Sequence, residues 1–155
     1  MLKPDFLTDP NESAVAELSS GQVIINMRHV RPGVEFAEHR GIPEGAHYRA
    51  TAISNDGAHN WNNAQLDKGL RDPVCAGGLC NCPGGILYTG CNSDRSRTYL
   101  TLHMSKDDCA SWGDSLMYEP LGGYSDCIYN PLTKTAFCAY EHDDYADIRV
   151  CEIEL

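Results

Sequence analysis

The chain has 155 residues, enough for one domain with a hydrophobic core. Its 22 acidic and 12 basic residues give a formal charge of −10, which argues against nucleic acid or an anionic membrane surface as the main partner. Apolar residues make up 42% of the chain, and no apolar run approaches the roughly 20 residues that cross a bilayer. This composition excludes the disordered, collagenous and transmembrane classes.

Short segments of alternating or β-branched residues recur along the chain between Gly, Asn, Asp and Pro, and no helical pattern runs beyond about two turns. The pattern is all-β. A first hairpin joins residues 14–18 to residues 23–27 through a polar turn. Further strands are predicted at 49–53, 85–88, 99–104, 115–118, 125–129, 135–140 and 148–154, with the acidic run 141–144 as a solvated turn between the last two.

The eight cysteines and six histidines form no familiar metal-binding pattern. The spacing C-x4-C-x-C of Cys75, Cys80 and Cys82 matches neither a zinc ribbon nor a thioredoxin-type pair, and no H-E-x-x-H is present. We expect mainly buried or idle thiols, with disulfides and a metal site as the open alternatives. No metal and no cofactor is predicted.

An internal repeat indicates the architecture. Residues 54–61 and 105–112 both read Ser, any residue, Asp, four residues and Trp, and the second octad follows the first by 51 positions. Each octad comes directly after an apolar strand. A period near 50 residues with about four short strands per unit is typical of propeller blades. The Asp carboxylate is expected to accept backbone N–H groups within the turn, and the Trp is expected to fill the space beneath it.

The two octads resemble the Asp boxes, S-x-D-x-G-x-T-W, of the sialidase (neuraminidase) family of six-bladed β-propellers. They depart from that pattern at Ala58 and Cys109, where glycine is usual, and at Asn60 and Ser111, where threonine is usual.

Further segments resemble sialidase motifs in the family's order. Residues 11–18, NESAVAEL, are similar to N-E-x-x-V-x-E-L, and residues 25–28, INMR, are similar to L-N-x-R. Residues 72–77 resemble D-P-x-C-x-G, residues 97–101 resemble R-x-N-L-T, and residues 123–126, GYSD, resemble the segment that carries the family's tyrosine nucleophile.

The resemblance implies a role for four residues. Tyr124 would be the nucleophile and Glu12 its general base, while Arg28 and Arg97 would be two of the three arginines that bind the carboxylate of a terminal sialic acid. Guanidinium groups suit this task because they bind carboxylates through paired hydrogen bonds. A neutral phenol is a plausible nucleophile because a carboxylate would be repelled by the carboxylate of the substrate.

Neighbouring residues leave some assignments open. Arg95 is a rival for the role of Arg97, although Arg97 has the family's distance to the Leu-Thr pair that follows it. Arg49 and Tyr99 could also line the site.

The resemblance further implies that the chain is the C-terminal half of a sialidase propeller, with blades at about 11–67, 73–119 and 124–155. The family's first triad arginine and its acid/base aspartate precede these motifs, and residues 1–10 match neither. We therefore expect the chain to belong to a longer protein and to pair with an N-terminal half.

The implied function is that of a retaining exo-α-sialidase acting on the sialylated glycans of glycoproteins and gangliosides, with this chain alone inactive. The alternatives are a non-catalytic propeller that binds sialic acid or another carbohydrate or partner, and a purely structural Asp-box module. The compartment stays open, with a lysosomal or secreted location favoured over a cytosolic one.

Overall fold

The computed structural model describes residues 10–29, 47–62 and 64–155, which form eleven β-strands. The predicted all-β class is confirmed. None of these residues forms a helix long and apolar enough to span a membrane. The strands are β1 (Ser13–Glu17), β2 (Val23–Met27), β3 (Tyr48–Ser54), β4 (Gln65–Arg71), β5 (Gly78–Cys82), β6 (Gly85–Cys91), β7 (Thr98–Ser105), β8 (Gly113–Leu121), β9 (Ser125–Asn130), β10 (Thr135–His142) and β11 (Asp147–Glu154).

The strands form three antiparallel sheets, each of which follows the order of the chain. Blade 1 contains β1 to β4, blade 2 contains β5 to β8, and blade 3 contains β9 to β11. The first strand of each blade lies on the inside, because β5 contacts both β1 and β9. Consecutive sheets that meet at their first strands form a partial β-propeller, as the sequence predicts.

Blade 2 is the centre of the packing because successive residues of a strand point to opposite faces of its sheet. On β6, Ile86 and Tyr88 pack against Ala16 and Leu18 of blade 1. Leu87, between them, belongs to a second core cluster with residues of blade 3. This second cluster contains Leu87, Leu102, Cys127, Ala136, Cys138 and Ile153. Alternate residues of β6 therefore pack blade 2 against both of its neighbours, blade 1 and blade 3.

The sequence does not predict two of the strands. β4 is an outer strand with an internal glycine, and it pairs along one edge only, with β3. Most of its residues are exposed, so its sequence, QLDKGLR, lacks an apolar alternation. β5 is short and contains two cysteines and a glycine. Pairing with β6, and not intrinsic β-propensity, defines this strand.

Both octads form the same turn. In the first octad, Ser54 Oγ accepts the Ala58 N–H at 2.9 Å and Asp56 Oδ1 accepts the Asn60 N–H at 2.8 Å. In the second, Ser105 and Asp107 make the equivalent contacts at 2.8 and 2.9 Å. The carboxylate therefore satisfies backbone donors within the turn, as expected.

The fifth position of each octad has a left-handed backbone. Ala58 has φ 68° and Cys109 has φ 65°, a conformation that glycine adopts without a steric cost. This conformation gives a physical reason for the glycine in the family pattern.

The Trp of the second octad connects two blades. Trp112 packs against the core between blades 1 and 2, with its ring 5.9 Å from that of Tyr88. Its Nε1–H donates a hydrogen bond of 2.8 Å to Asp67 on β4 of blade 1.

Candidate functional site

Tyr124 lies in the segment that connects β8 of blade 2 to β9 of blade 3. Its N–H donates to the Glu141 carboxylate at 2.8 Å, and its carbonyl accepts the Glu141 N–H at 2.9 Å. A side chain at Gly123 would collide with the Glu141 carboxylate and the Tyr145 ring. The glycine before the tyrosine therefore allows the chain to pass closely over β10, which fixes the direction of the phenol.

Blade 1 brings two charged side chains to this phenol. Glu12 directly precedes β1 and Arg28 directly follows β2, and the Arg28 N–H donates to the Glu12 carbonyl at 3.1 Å. Arg28 Nη1 lies 2.8 and 2.7 Å from the two carboxylate oxygens of Glu12 and donates a hydrogen bond of 2.8 Å to the Tyr124 hydroxyl. The hydroxyl in turn donates to Glu12 Oε1. The three groups form a closed triangle.

The protonation states within this triangle are defined by its hydrogen bonds. Burial alone would raise the pKa of Glu12, but the hydrogen bond from Tyr124 and the positive charge of Arg28 together hold the pKa below its usual range. For Tyr124, burial and the hydrogen bond to Glu12 raise the pKa, although Arg28 opposes them. A neutral phenol therefore faces an ionised carboxylate, which is the arrangement needed for a base to remove the phenolic proton.

Blade 2 contributes Arg97, which precedes β7. Its guanidinium carbon lies 5.0 Å from the centre of the Tyr124 ring and 5.6 Å from that of Tyr145, within the range of cation–π interactions. Nη1 donates to the Tyr145 hydroxyl at 3.1 Å, and Nη2 donates to the Val74 carbonyl at 3.4 Å. Glu12 and Arg28 from blade 1 and Arg97 from blade 2 therefore converge on Tyr124, the fourth residue singled out in the sequence.

Arg95, the rival candidate, lies elsewhere. Its side chain is 70% exposed and its Nε lies 3.9 Å from a carboxylate oxygen of the neighbouring Asp94. Its position does not bring it into the contacts made by Arg97.

The sequence did not single out Tyr145, which lies in the turn between β10 and β11. Asp143, Asp144 and Tyr145 have φ values of 50°, 52° and 70°, three left-handed residues in succession. The two aspartates tolerate this conformation better than most residues. The acidic run 141–144 indicated the turn, but no signal in the sequence indicated the contact of Tyr145 with Arg97.

Two residues near Arg97 have a left-handed backbone. Val74, which accepts its hydrogen bond, has φ 61°, and Tyr99, two residues after it, has φ 59°. A positive φ is unusual for a β-branched residue, and such conformations persist only where the surrounding structure imposes them.

Arg49 does not line the site, contrary to one of the possibilities raised by the sequence. It is 0% exposed, and its Nε donates to Asn26 Oδ1 at 2.6 Å. Its Nη1 donates to the Cys75 carbonyl at 2.7 Å and lies 3.4 Å from the Asp72 carboxylate. Arg49 therefore joins blade 1 to the segment 72–75. The same segment contains the Val74 carbonyl, which accepts the hydrogen bond from Arg97.

A cavity of about 190 Å³ lies beside Arg97. This volume is below the roughly 300–1,000 Å³ of complete small-molecule pockets. The residues that form its wall are Arg97, Leu121, Gly122, Gly123, Glu141, His142, Asp144 and Tyr145.

Over the described ranges, no group of three or more His, Cys, Asp or Glu side chains is placed to hold a metal ion. All eight cysteines lie within these ranges and are free thiols.

Comparison with known proteins shows which proteins the chain resembles. No protein-family model matches the chain. A curated sialidase from Micromonospora viridifaciens is 29% identical over 121 residues, which are 71% of this chain and 16% of that protein. The chain therefore spans about a sixth of the length of this relative.

Solved structures share the fold. A Hadza microbial sialidase superposes with a TM-score of 0.73 and 22% identity, over 95% of this chain and 28% of that one. The intramolecular trans-sialidase from Ruminococcus gnavus, solved in complex with oseltamivir carboxylate, gives a TM-score of 0.69 and 15% identity, over 96% of this chain and 33% of that one. The chain is similar in sequence to a part of a sialidase and shares its fold with parts of these longer proteins.

Proposed function

We propose that the protein containing this chain is a retaining exo-α-sialidase that releases terminal sialic acid from glycoproteins and gangliosides. One observation carries the proposal: the Tyr124 hydroxyl hydrogen-bonds both Glu12 and Arg28, while Arg97 stacks on its ring. A structural module has no need for a phenol, a base and two guanidinium groups gathered from three blades.

The substrate has its carboxylate on the anomeric carbon, which is the atom that must be attacked. Arg97 would bind this carboxylate, a role supported by the contacts of its guanidinium group with the Tyr124 and Tyr145 rings and by its place in the wall of the cavity. Charge-assisted hydrogen bonds to the carboxylate would orient the anomeric carbon over the Tyr124 hydroxyl. Arg28 would be a second arginine for this carboxylate, since its Nη1 already donates to the Tyr124 hydroxyl.

In the first step, Tyr124 Oη would form a bond to the anomeric carbon as the glycosidic C–O bond breaks, and Glu12 would take the phenolic proton. Arg28 would stabilise the negative charge that develops on the phenol, since its Nη1 already donates to this oxygen. Water would then hydrolyse the sialyl-tyrosine intermediate. The leaving aglycone needs a proton from an acid outside this set of four residues.

The test is direct labelling of the nucleophile. The intact protein is incubated with a sialosyl fluoride that carries a second fluorine beside the anomeric carbon, because this substituent slows hydrolysis of the intermediate. We expect a sialyl adduct on Tyr124 in the peptide mass spectrum. In Tyr124→Phe, we expect loss of the adduct and a fall of at least about 10³-fold in sialoside hydrolysis.

Tyr129→Phe is the matched control, because Tyr129 also lies at blade 3 but packs in the core between blades 2 and 3. It should keep both adduct and turnover. Binding of sialosides with neither adduct nor turnover would favour a non-catalytic carbohydrate-binding propeller. An adduct on another residue would overturn the role of Tyr124.

A further inference from the structure

Two thiols meet across the interface between blades 2 and 3. Cys80 lies on β5 and Cys127 lies on β9, the inner strands of their blades, and Cys127 Sγ is 3.5 Å from Cys80 Sγ. The sulfurs of a disulfide are about 2.05 Å apart, so the two thiols need to come closer by about 1.5 Å before a bond can form.

The backbones hold this contact in place. A Cβ atom added to Gly78, two residues before Cys80, would lie 2.8 Å from Asp126 Cα and 3.0 Å from the Cys127 backbone nitrogen. Gly78 and Cys80 lie on the same face of β5, since side chains alternate along a strand. The glycine therefore permits the close approach of β5 and β9 that a disulfide needs between its two Cα atoms.

We propose that Cys80 and Cys127 form a disulfide that joins blade 2 to blade 3 in an oxidising environment. The oxidant is a small-molecule or protein disulfide, such as glutathione disulfide. The Cys80 thiolate attacks one of its sulfurs and releases one glutathione thiolate, which leaves a mixed disulfide on Cys80. The Cys127 thiolate then attacks the Cys80 sulfur, the second glutathione leaves, and the two protein thiols have lost two protons and two electrons to the oxidant.

The surroundings favour Cys80 as the first nucleophile. Cys127 is 4% exposed, whereas Cys80 is half-buried and can be reached by an oxidant. The hydrogen bond from the Cys127 thiol lowers the pKa of Cys80, although burial opposes it, and this increases the fraction of thiolate. The attacking and resolving thiols are thus distinguished by their positions.

A second pair of cysteines provides the competing possibility. Cys138 on β10 faces Cys127 on one side and Cys151 on the other, in the strand registers of blade 3. A bond between Cys138 and Cys151 would close a loop of about 13 residues within one blade, against about 47 residues between Cys80 and Cys127. Because longer loops lose more entropy when they are closed in the unfolded chain, the bond between blades gives the larger stabilisation.

The experiment maps the bond in the intact protein. The protein is equilibrated with a glutathione redox buffer at the potential of an oxidising compartment, its free thiols are alkylated, and it is digested without reductant. We expect one linked pair of peptides containing Cys80 and Cys127. Because Cys82 lies two residues from Cys80, the measurement is repeated with Cys82→Ala, which should keep the link, and with Cys80→Ala, which should lose it.

Thermal unfolding is the second readout. Reduction should lower the midpoint of the oxidised protein by roughly 8–15 °C, and it should have the same effect on Cys82→Ala. It should leave the midpoint of Cys80→Ala nearly unchanged. Complete alkylation of Cys80 and Cys127 after oxidation, or a linked Cys138–Cys151 peptide in place of the expected one, would overturn the proposal.

Discussion

Arg28 and Glu12 share a two-point contact in which a single guanidinium nitrogen, Nη1, lies 2.8 and 2.7 Å from the two carboxylate oxygens. The Arg28 side chain is 7% exposed and that of Glu12 is 33% exposed, so water screens this ion pair only in part. Since the same nitrogen also donates to Tyr124, Arg28 both orients the carboxylate and reduces the negative charge near the phenol. The contact thus couples the charge state of Glu12 to that of the Tyr124 phenol.

Glu12→Gln should lower kcat for sialoside hydrolysis by about 10²–10⁴-fold, because the amide keeps the shape of the side chain but cannot take a proton. KM should change little. The pKa of Glu12 lies below its usual value, so the ionised base persists as the pH falls until the pH passes this lowered pKa. Any acid limb of kcat due to Glu12 therefore lies below about pH 4.5 and disappears in the variant, as a pH–rate profile would measure.

Glu17→Gln is a suitable control for this profile, because Glu17 is the last residue of β1, the strand that Glu12 directly precedes, and its side chain is exposed. An unaltered kcat and an unaltered acid limb in Glu12→Gln would exclude Glu12 as the base.

Arg97→Lys keeps the positive charge but loses the planar group that stacks on Tyr124 and Tyr145. We expect KM to rise by about 10-fold or more, since a charge-assisted, two-pronged contact becomes a single one.

Tyr145→Phe keeps the ring and removes only the 3.1 Å hydrogen bond, so KM should rise by about 2–5-fold with kcat nearly constant. Steady-state kinetics on one sialoside separates these effects, and an unchanged KM in Arg97→Lys would exclude carboxylate binding by Arg97.

The sequence predicted the fold where local patterns determine structure. Central strands such as β3 and β7 are buried on both faces, and on each of them apolar residues alternate with polar ones. On β7, for example, Leu100 and Leu102 alternate with Thr101 and His103, and an alternation of this kind identifies a strand from sequence. The outer strand β4 is mostly exposed, and the inner strand β5 is defined by its neighbours, so neither has a local signal.

The site divides in the same way. Glu12, Arg28, Arg97 and Tyr124 lie within segments that resemble family motifs, so sequence alone identified them. Tyr145 was missed because its contact with Arg97 depends on a left-handed turn and on 48 residues of intervening chain. Arg49 lies in no such segment, and only the structure shows that its side chain is buried, whereas Arg97 lies beside the cavity.

Asp56→Ala should make the protein less sensitive to acid while lowering its stability at neutral pH. The Asn60 N–H, the Asn60 side chain and the Ser54 hydroxyl lower the pKa of Asp56 to about 2, from an unfolded value of 3.8. Because the folded pKa is the lower one, the contribution of Asp56 is complete above about pH 3.8 and is lost as the pH falls toward 2. Urea unfolding of the intact protein at pH 7, 4 and 2.5 measures the difference.

Glu154→Ala, which removes an exposed carboxylate from β11, is the control for net charge. If Asp56→Ala and Glu154→Ala lost equal stability between pH 4 and pH 2.5, the turn would not be the source of the effect.

Ala58→Gly should stabilise the protein, although glycine usually destabilises folded chains. Ala58 is exposed and has φ 68°, and a Cβ atom in the left-handed conformation costs roughly 1–2 kcal/mol. Glycine also has more conformational freedom than alanine in the unfolded chain, and this lowers the gain in stability by about 0.5–1 kcal/mol. The expected net gain is about 0.5–1 kcal/mol in the free energy of unfolding, measured by urea denaturation.

The matched control is Ala52→Gly on β3, at a buried position with ordinary strand geometry, where the same substitution should lower the stability. A loss of stability at both positions would mean that the left-handed turn at Ala58 carries no steric cost.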